Sequence, residues 1–93
     1  MINISMNTIV EQREGIDTTD IDGEKAMMDL EKGQYFMLDS VGSRIWEIIS
    51  KPCAVKQILL ELMKEYDVDE KTCEEGTVEF LEKLNEDGLL VTK

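Results

Sequence analysis

The side chains of this 93-residue chain that could do chemistry are two cysteines and a large set of carboxylates. Cys53 and Cys73 could act as nucleophiles or bind zinc, and paired carboxylates could do acid–base work. The sequence has no histidine, which excludes a Cys–His pair, a Ser–His–Asp triad and the commonest general base at neutral pH. Two cysteines also fall short of the about four Cys or His ligands that a zinc site needs. We therefore expect a protein that is not an enzyme and needs neither a metal nor another cofactor.

The carboxylates dominate the charge, with 21 acidic residues against 10 basic ones and a net charge of −11. The segment "DTTDIDGE" (17–24) lacks the twelve-residue ligand order of a calcium loop, so these carboxylates are expected to be solvated. Nucleic acid and anionic membranes are disfavoured as partners because binding to them relies on Lys and Arg. The acidity suits a basic partner, or it simply keeps the protein soluble.

Length and hydrophobic pattern limit the organisation of the chain. No apolar run approaches the roughly 20 residues that span a bilayer. The opening segment "MINISMNTIV" lacks the charged and apolar regions of a secretory signal. We expect one domain over residues 1–93, located in the cytoplasm, with a small and compact core.

Three short strands are predicted ahead of three helices. The strands are "NTIVEQRE" (7–14), "EKAMMDL" (24–30) and "QYFML" (34–38), and "GIDTTDIDG" (15–23) is expected to be a loop because it is rich in Gly and Asp. In the third strand Phe36 and Leu38 point to one face, and Tyr35 and Met37 point to the other. The residues expected to share one face of the second strand are Ala26, Met28 and Leu30.

The first helix is predicted to be capped by Asp39 or Ser40 and to end near Ser50. The second is predicted over 54–66, and the third, capped by Asp69, over 70–86. The segment "LLVT" is expected to pack back on the core as a short extended tail. The order predicts an α+β, winged-helix-like domain in which a three-stranded antiparallel sheet is followed by three helices.

The third predicted strand is an edge of the sheet if the strand order follows the chain. It contains neither charge nor proline, the features with which soluble proteins usually protect an edge. Two interpretations stay open: another element covers the edge, or the edge is available to pair with a partner strand. On the third helix, Val78 lies beside Glu74 and Glu82, which suits peptide docking. That helix region is strongly acidic and would repel DNA.

Three segments together resemble a known family: "DGEKAMMDLEKGQYFMLDSVGSRIWEII" (22–49), "YDVDEKTCEE" (66–75) and "FLEKLNEDGLL" (80–90). They are similar to the PqqD-like leader-recognition domains, also called RiPP recognition elements, in the free-standing form found in lasso-peptide biosynthesis. The resemblance covers residues 8–91. Gly76 marks a departure from the family, in which many members have an acidic residue near this position. This glycine either loosens the third helix or leaves room for a peptide backbone.

The resemblance implies a non-catalytic, winged helix-turn-helix peptide chaperone. Such domains bind the leader of a ribosomally made precursor and present it to a separate leader peptidase, a cysteine protease. The leader adds a strand beside the third strand and lies against the third helix. The contact residues implied by position are Gln34, Tyr35, Phe36, Met37, Leu38, Glu74, Val78 and Leu81.

Two other functions are considered. Within the same fold, the chain could instead serve a radical-SAM enzyme or another leader-dependent modifying enzyme. A winged-helix transcription regulator is a distant alternative, and the acidic third helix argues against it.

Overall fold

The computed structural model describes residues 4–93, so residues 1–3 of the predicted domain lie outside the described part of the chain. Strand β3 lies between β2 and β4 in one antiparallel sheet, and β1 lies between β5 and β6 in the other. This confirms the predicted winged-helix-like α+β class, with a three-stranded antiparallel sheet and three helices. In chain order the elements are β1 (Ile9–Gln12), β2 (Ile16–Ile21), β3 (Glu24–Asp29), β4 (Gln34–Leu38), α1 (Ser40–Ile48), β5 (Cys53–Ala54), α2 (Val55–Glu65), α3 (Glu70–Glu86) and β6 (Leu90–Thr92).

The sheet β2–β3–β4 differs from the prediction in its first strand. Segment 15–23 was expected to be a loop, but most of it forms β2, which pairs with β3 over six residues. Four residues of β2 are Ile or Thr, whose β-branched side chains favour extended backbone. Asp22 and Gly23, with φ of 53° and 87°, form the tight turn that joins β2 to β3. The predicted first strand, β1, instead pairs with the C-terminal strand β6.

Strand β3 turns its odd-numbered side chains towards the core. Met27 and Asp29 are fully buried, and Lys25 is 8 % exposed. The ammonium of Lys25 is satisfied by Asp20 at 2.7 Å and Glu47 at 3.3 Å. Because two charged residues occupy the inner face, the apolar alternation in the sequence marks the outer face of β3 and not the buried one. The residues predicted to share one face are Ala26, Met28 and Leu30, and of these only Ala26 is buried.

The helices follow their local sequence signals. The Asp39 carboxylate accepts a hydrogen bond from the amide of Gly42 at 2.7 Å and caps α1. Asp69 caps α3 in the same way, through the amide of Thr72 at 3.1 Å. Helix α3 has the predicted bounds, and α2 is one residue shorter at each end than predicted. Within residues 4–93, no helix is long and apolar enough to cross a membrane.

One hydrophobic core joins both sheets to the helices. Trp46 of α1 is buried in this core. Leu81 of α3 is buried there completely, so α3 directs one side towards the core and leaves a flank on each side of it. The other fully buried core residues are Val10, Met27, Ile49, Val55, Ile58 and Leu89.

A buried carboxylate connects the β3–β4 turn to the residue after β1. Asp29 accepts hydrogen bonds from Arg13 at 2.6 Å and from the amides of Glu31 and Lys32 at 3.1 and 3.2 Å. Burial by itself would raise the pKa of Asp29. The Lys32 amide, the Arg13 guanidinium and the Glu31 amide outweigh that effect and hold the pKa below its ordinary value. The carboxylate is therefore ionised at neutral pH and fixes the start of β4.

Candidate functional site

Strand β4 forms an edge of the sheet β2–β3–β4, which confirms the edge expected for the third predicted strand. Its side chains alternate as predicted. Phe36 and Leu38 turn towards the core, and Tyr35 and Met37 are 62 % and 59 % exposed on the other face. Within residues 4–93, no strand pairs with the outer side of β4.

The direction of each β4 amide follows from the pairing of β3 with its two neighbours. The amide of Leu30 donates to Gly15 on the β2 side at 3.2 Å. Since backbone groups alternate along a strand, Met27 and its odd-numbered neighbours direct theirs towards β4. Met27 is opposite Phe36 in the register. The backbone N–H and C=O groups of Tyr35 and Met37 therefore point away from the sheet, at its free edge.

Ser43 of α1 terminates the β3–β4 ladder. Its hydroxyl accepts from the Lys25 amide at 2.8 Å and donates to the Leu38 carbonyl at 3.4 Å. The hydroxyl thus bridges the last backbone pair of the two strands. This position agrees with Lys25 and Leu38 directing their backbone groups towards each other. The edge available for pairing ends where α1 begins.

A groove separates β4 from α3. Its first part is a cavity of about 400 Å³ with Phe36 and Leu38 on the strand side and Lys83 and Asp87 on the helix side. The remaining residues that line this cavity are Met27, Tyr35, Met37, Asp39, Phe80, Leu84 and Leu89.

The groove continues into a second, more apolar cavity of about 370 Å³ among α1, α3 and the end of α2. Asp39 and Phe80 line both cavities, so the two parts of the groove adjoin at these side chains. Gly42 allows the close approach of Phe80, since a Cβ at this position would lie 3.0 Å from its ring. The other lining residues are Val41, Ile45, Leu62, Tyr66, Val68, Thr72, Cys73, Gly76 and Thr77.

The structure brings the five predicted β4 residues to this groove or its edge, and it places the three predicted α3 residues elsewhere. Leu81 is fully buried, and Val78 is partly buried against the core. Val78 and Phe80 are two positions apart, about 200° around the helix axis. Neither Glu74 nor Val78 lines the groove, so their contact with a peptide stays a prediction.

The helix residues that do line the groove were not among the predicted site residues. Phe80 is part of the apolar stripe that α3 shows at helical spacing, and the flank that carries it also carries Gly76 and Lys83. The sequence shows the stripe, but not which flank of α3 faces β4. A glycine within the helix, Gly76, was the signal available in the sequence. In the structure a Cβ at this position would meet no atom within 4 Å, so there is free space above the groove.

Neither cysteine has the surroundings of a nucleophile. Burial, with a smaller contribution from Glu61, raises the pKa of the Cys53 thiol and keeps it protonated at neutral pH. Cys73 is buried against the apolar cavity. Among the side chains of residues 4–93, no group of three or more acidic or sulfur ligands is placed to hold a metal ion. An edge strand beside an apolar groove can instead bind an extended peptide.

The family model described as coenzyme PQQ synthesis protein D (PqqD) matches residues 24–90, which include β3, β4 and all three helices. This chain belongs to the PqqD family. The matched segment contains the β4 edge and both cavities of the groove. Comparison with curated proteins finds no match.

Two solved structures are similar to this PqqD-family chain. One, described as TbiB1 in complex with the TbiA(beta) leader peptide, is 34% identical with a TM-score of 0.80; the match covers 86% of this chain and 93% of that one. The other, described as lasso peptide synthetase B1 complexed with the leader peptide, is 20% identical with a TM-score of 0.77. It covers 88% of this chain and 96% of that one, and it supports the fold.

Proposed function

We propose that this PqqD-family chain is a non-catalytic adaptor of lasso-peptide biosynthesis. It binds the leader of a ribosomally made precursor in the cytoplasm and presents that leader to a cysteine protease, the leader peptidase. The observation that carries the proposal is the free edge of β4 beside an apolar groove. The 34% identical relative, whose structure is described as a complex with a leader peptide, supports the choice of ligand.

The leader binds as an added strand next to β4. The outward N–H and C=O groups of Tyr35 and Met37 supply the backbone hydrogen bonds, which are insensitive to the leader's sequence. Selectivity comes from the side chains, because every second residue of the added strand points towards the groove. Phe80 and its apolar surroundings accept hydrophobic or aromatic leader residues there.

Charge favours a leader that carries lysine or arginine. The chain has a net charge of −11, and helix α3 contains six glutamates, although none of them lines the groove. Opposite charge raises the rate of encounter more than the final affinity, and salt screens it. Association with the leader should therefore slow as ionic strength rises, while dissociation changes less.

Gly76→Arg tests whether the leader occupies the groove. We expect it to weaken binding by about tenfold or more, because the new side chain fills the cavity and repels a basic leader. Arginine is also a better helix former than glycine by about 1 kcal/mol, so the free energy of unfolding should not fall. The measurement is fluorescence polarisation with the labelled leader of the precursor encoded beside this chain, with Trp46 fluorescence as a monitor of folding.

Val78→Arg places the same side chain on the opposite flank of α3. The sequence-based prediction is weaker leader binding in this variant, through contact of Val78 with the leader. Wild-type affinity in Gly76→Arg together with lost affinity in Val78→Arg would contradict the groove and favour that flank. Wild-type affinity in both variants would contradict a leader site on α3 altogether.

A second candidate partner is a modifying enzyme other than a peptidase, such as a radical-SAM enzyme. The observation that favours it is the family description, which refers to synthesis of coenzyme PQQ rather than of lasso peptides. Leader binding by the β4 edge is the same in both cases. Binding assays with the purified enzymes encoded beside this chain distinguish the two partners.

A further inference from the structure

The outer face of the sheet β2–β3–β4, on the side away from the core, is apolar near β4. The register aligns its outward side chains in cross-strand rows. One row contains Asp17, Met28 and Tyr35, and the next contains Thr19, Ala26 and Met37. Met28, Tyr35 and Met37 are 38 %, 62 % and 59 % exposed. We call these three residues the outer patch.

On the β2 side of the outer patch, acidic residues surround Thr19 and the exposed Ile21. Asp17 lies in the same row as Met28, and Asp22 and Glu24 follow at the turn and at the start of β3. All three are exposed. The only lysine within these strands, Lys25, points inward and is paired with Asp20 and Glu47. The face therefore combines an apolar centre with a negative border.

The border selects between possible occupants of the patch. A second copy of this chain would bring the same acidic border and a net charge of −11 towards it, which opposes self-association. A protein whose own apolar patch is flanked by lysine or arginine fits in both respects. An apolar centre with a charged rim is the usual anatomy of a protein–protein interface.

The outer patch is continuous with the edge proposed to bind the leader. A strand added beside β4 enlarges the same sheet, so every second leader side chain lies next to Tyr35 or Met37 on the outer face. Side chains on the inner face contact the groove instead. An enzyme that docks on the outer patch thus contacts part of the bound leader as well as the adaptor.

We propose that the outer patch is the docking site of the enzyme that processes the precursor, the leader peptidase, through a basic-rimmed apolar surface of that enzyme. This inference rests on the proposed function and adds to it the surface used for presentation. Because the leader enlarges the docking surface, the peptidase binds the leader-bound adaptor more tightly than the free adaptor.

Met28→Arg is the test, since Met28 is at the centre of the patch, on β3, outside the leader site. We expect its affinity for the purified peptidase to fall by about tenfold or more in biolayer interferometry. Its affinity for the labelled leader should stay within about twofold of wild type. Leu60→Arg is the matched control: Leu60 is a 59 % exposed residue on α2, and we expect no change there.

The two assays separate failure of this inference from failure of the proposed function. Wild-type protein that does not bind the leader contradicts the adaptor function, whatever the peptidase does. Wild-type peptidase binding in Met28→Arg overturns the docking site, and so does a peptidase that does not bind the wild type. Parallel loss of leader and peptidase binding overturns it too. A wild-type dimer in light scattering that Met28→Arg dissociates would assign the patch to a second copy and also overturn the proposal.

Discussion

Replacing Met37 with proline is expected to lower the affinity for the leader by roughly tenfold or more while the fold persists. The amide of Met37 points to the free edge, so proline removes no hydrogen bond of the β3–β4 ladder. It removes one donor to the added strand and places a ring where that strand must approach. Fluorescence polarisation with the labelled leader measures the loss, and the thermal midpoint followed by Trp46 fluorescence measures the stability.

Thr18→Pro provides a matched control on the opposite edge of the same sheet. The alternation that directs the Met37 amide outward from β4 also directs the Thr18 amide outward from β2. Both variants lose an outward donor, but only one is beside the groove. Equal losses of leader affinity in the two variants would mean that the leader does not bind preferentially at the β4 edge. Unfolding of Met37→Pro alone would mean that its amide belongs to the ladder.

Asp29→Asn is expected to cause the largest loss of stability among the substitutions considered. The substitution leaves the Arg13 guanidinium without its buried anionic partner and weakens the acceptor of the Glu31 and Lys32 amides. The midpoint of urea denaturation at pH 7 should fall clearly below that of wild type. Because these contacts hold the β3–β4 turn, the amide signals of β4 should also shift in NMR spectra.

The effect of Asp29→Asn should depend on pH in a defined direction. The folded pKa of Asp29 is lowered, so its ionised form contributes stability above the unfolded pKa of about 3.9. That contribution is lost as pH falls through the lower folded value, and the difference between variant and wild type should narrow there. Glu31→Gln is the control, since the Glu31 carboxylate, at 3.0 Å from Arg13, is 77% exposed. A difference that stays constant into strong acid would show that folding does not lower the pKa of Asp29.

The sequence predicted the elements that have strong local signals. The Asp39 and Asp69 caps and the apolar period of α3 define helices without reference to the rest of the chain. The alternation in β4 is correct because no buried charge interrupts it. The loop assigned to 15–23 was wrong because its many aspartates outweighed the Asp22–Gly23 pair, which is itself a strong hairpin signal.

The remaining errors concern tertiary contacts that no local pattern contains. The inner face of β3 contains Lys25 and Asp29, which are tolerated there only because distant residues pair with them. The position of the groove also depends on tertiary contacts. Helical period identifies the buried stripe of α3, but the arrangement of α1 and β4 decides that the groove lies on the Phe80 side.

One aromatic ring lines both cavities of the groove, and this has a consequence for how leaders diverge. Two leader side chains seated on opposite sides of the Phe80 ring both depend on the same rotamer of Phe80. The close contact of the ring with Gly42 limits how far that rotamer can shift. Enlarging one of them shifts the ring against the other, so the energetic effects of changes at the two leader positions are not additive. Precursors served by this chain should therefore vary at those positions in correlated pairs, with a larger residue at one compensated by a smaller residue at the other.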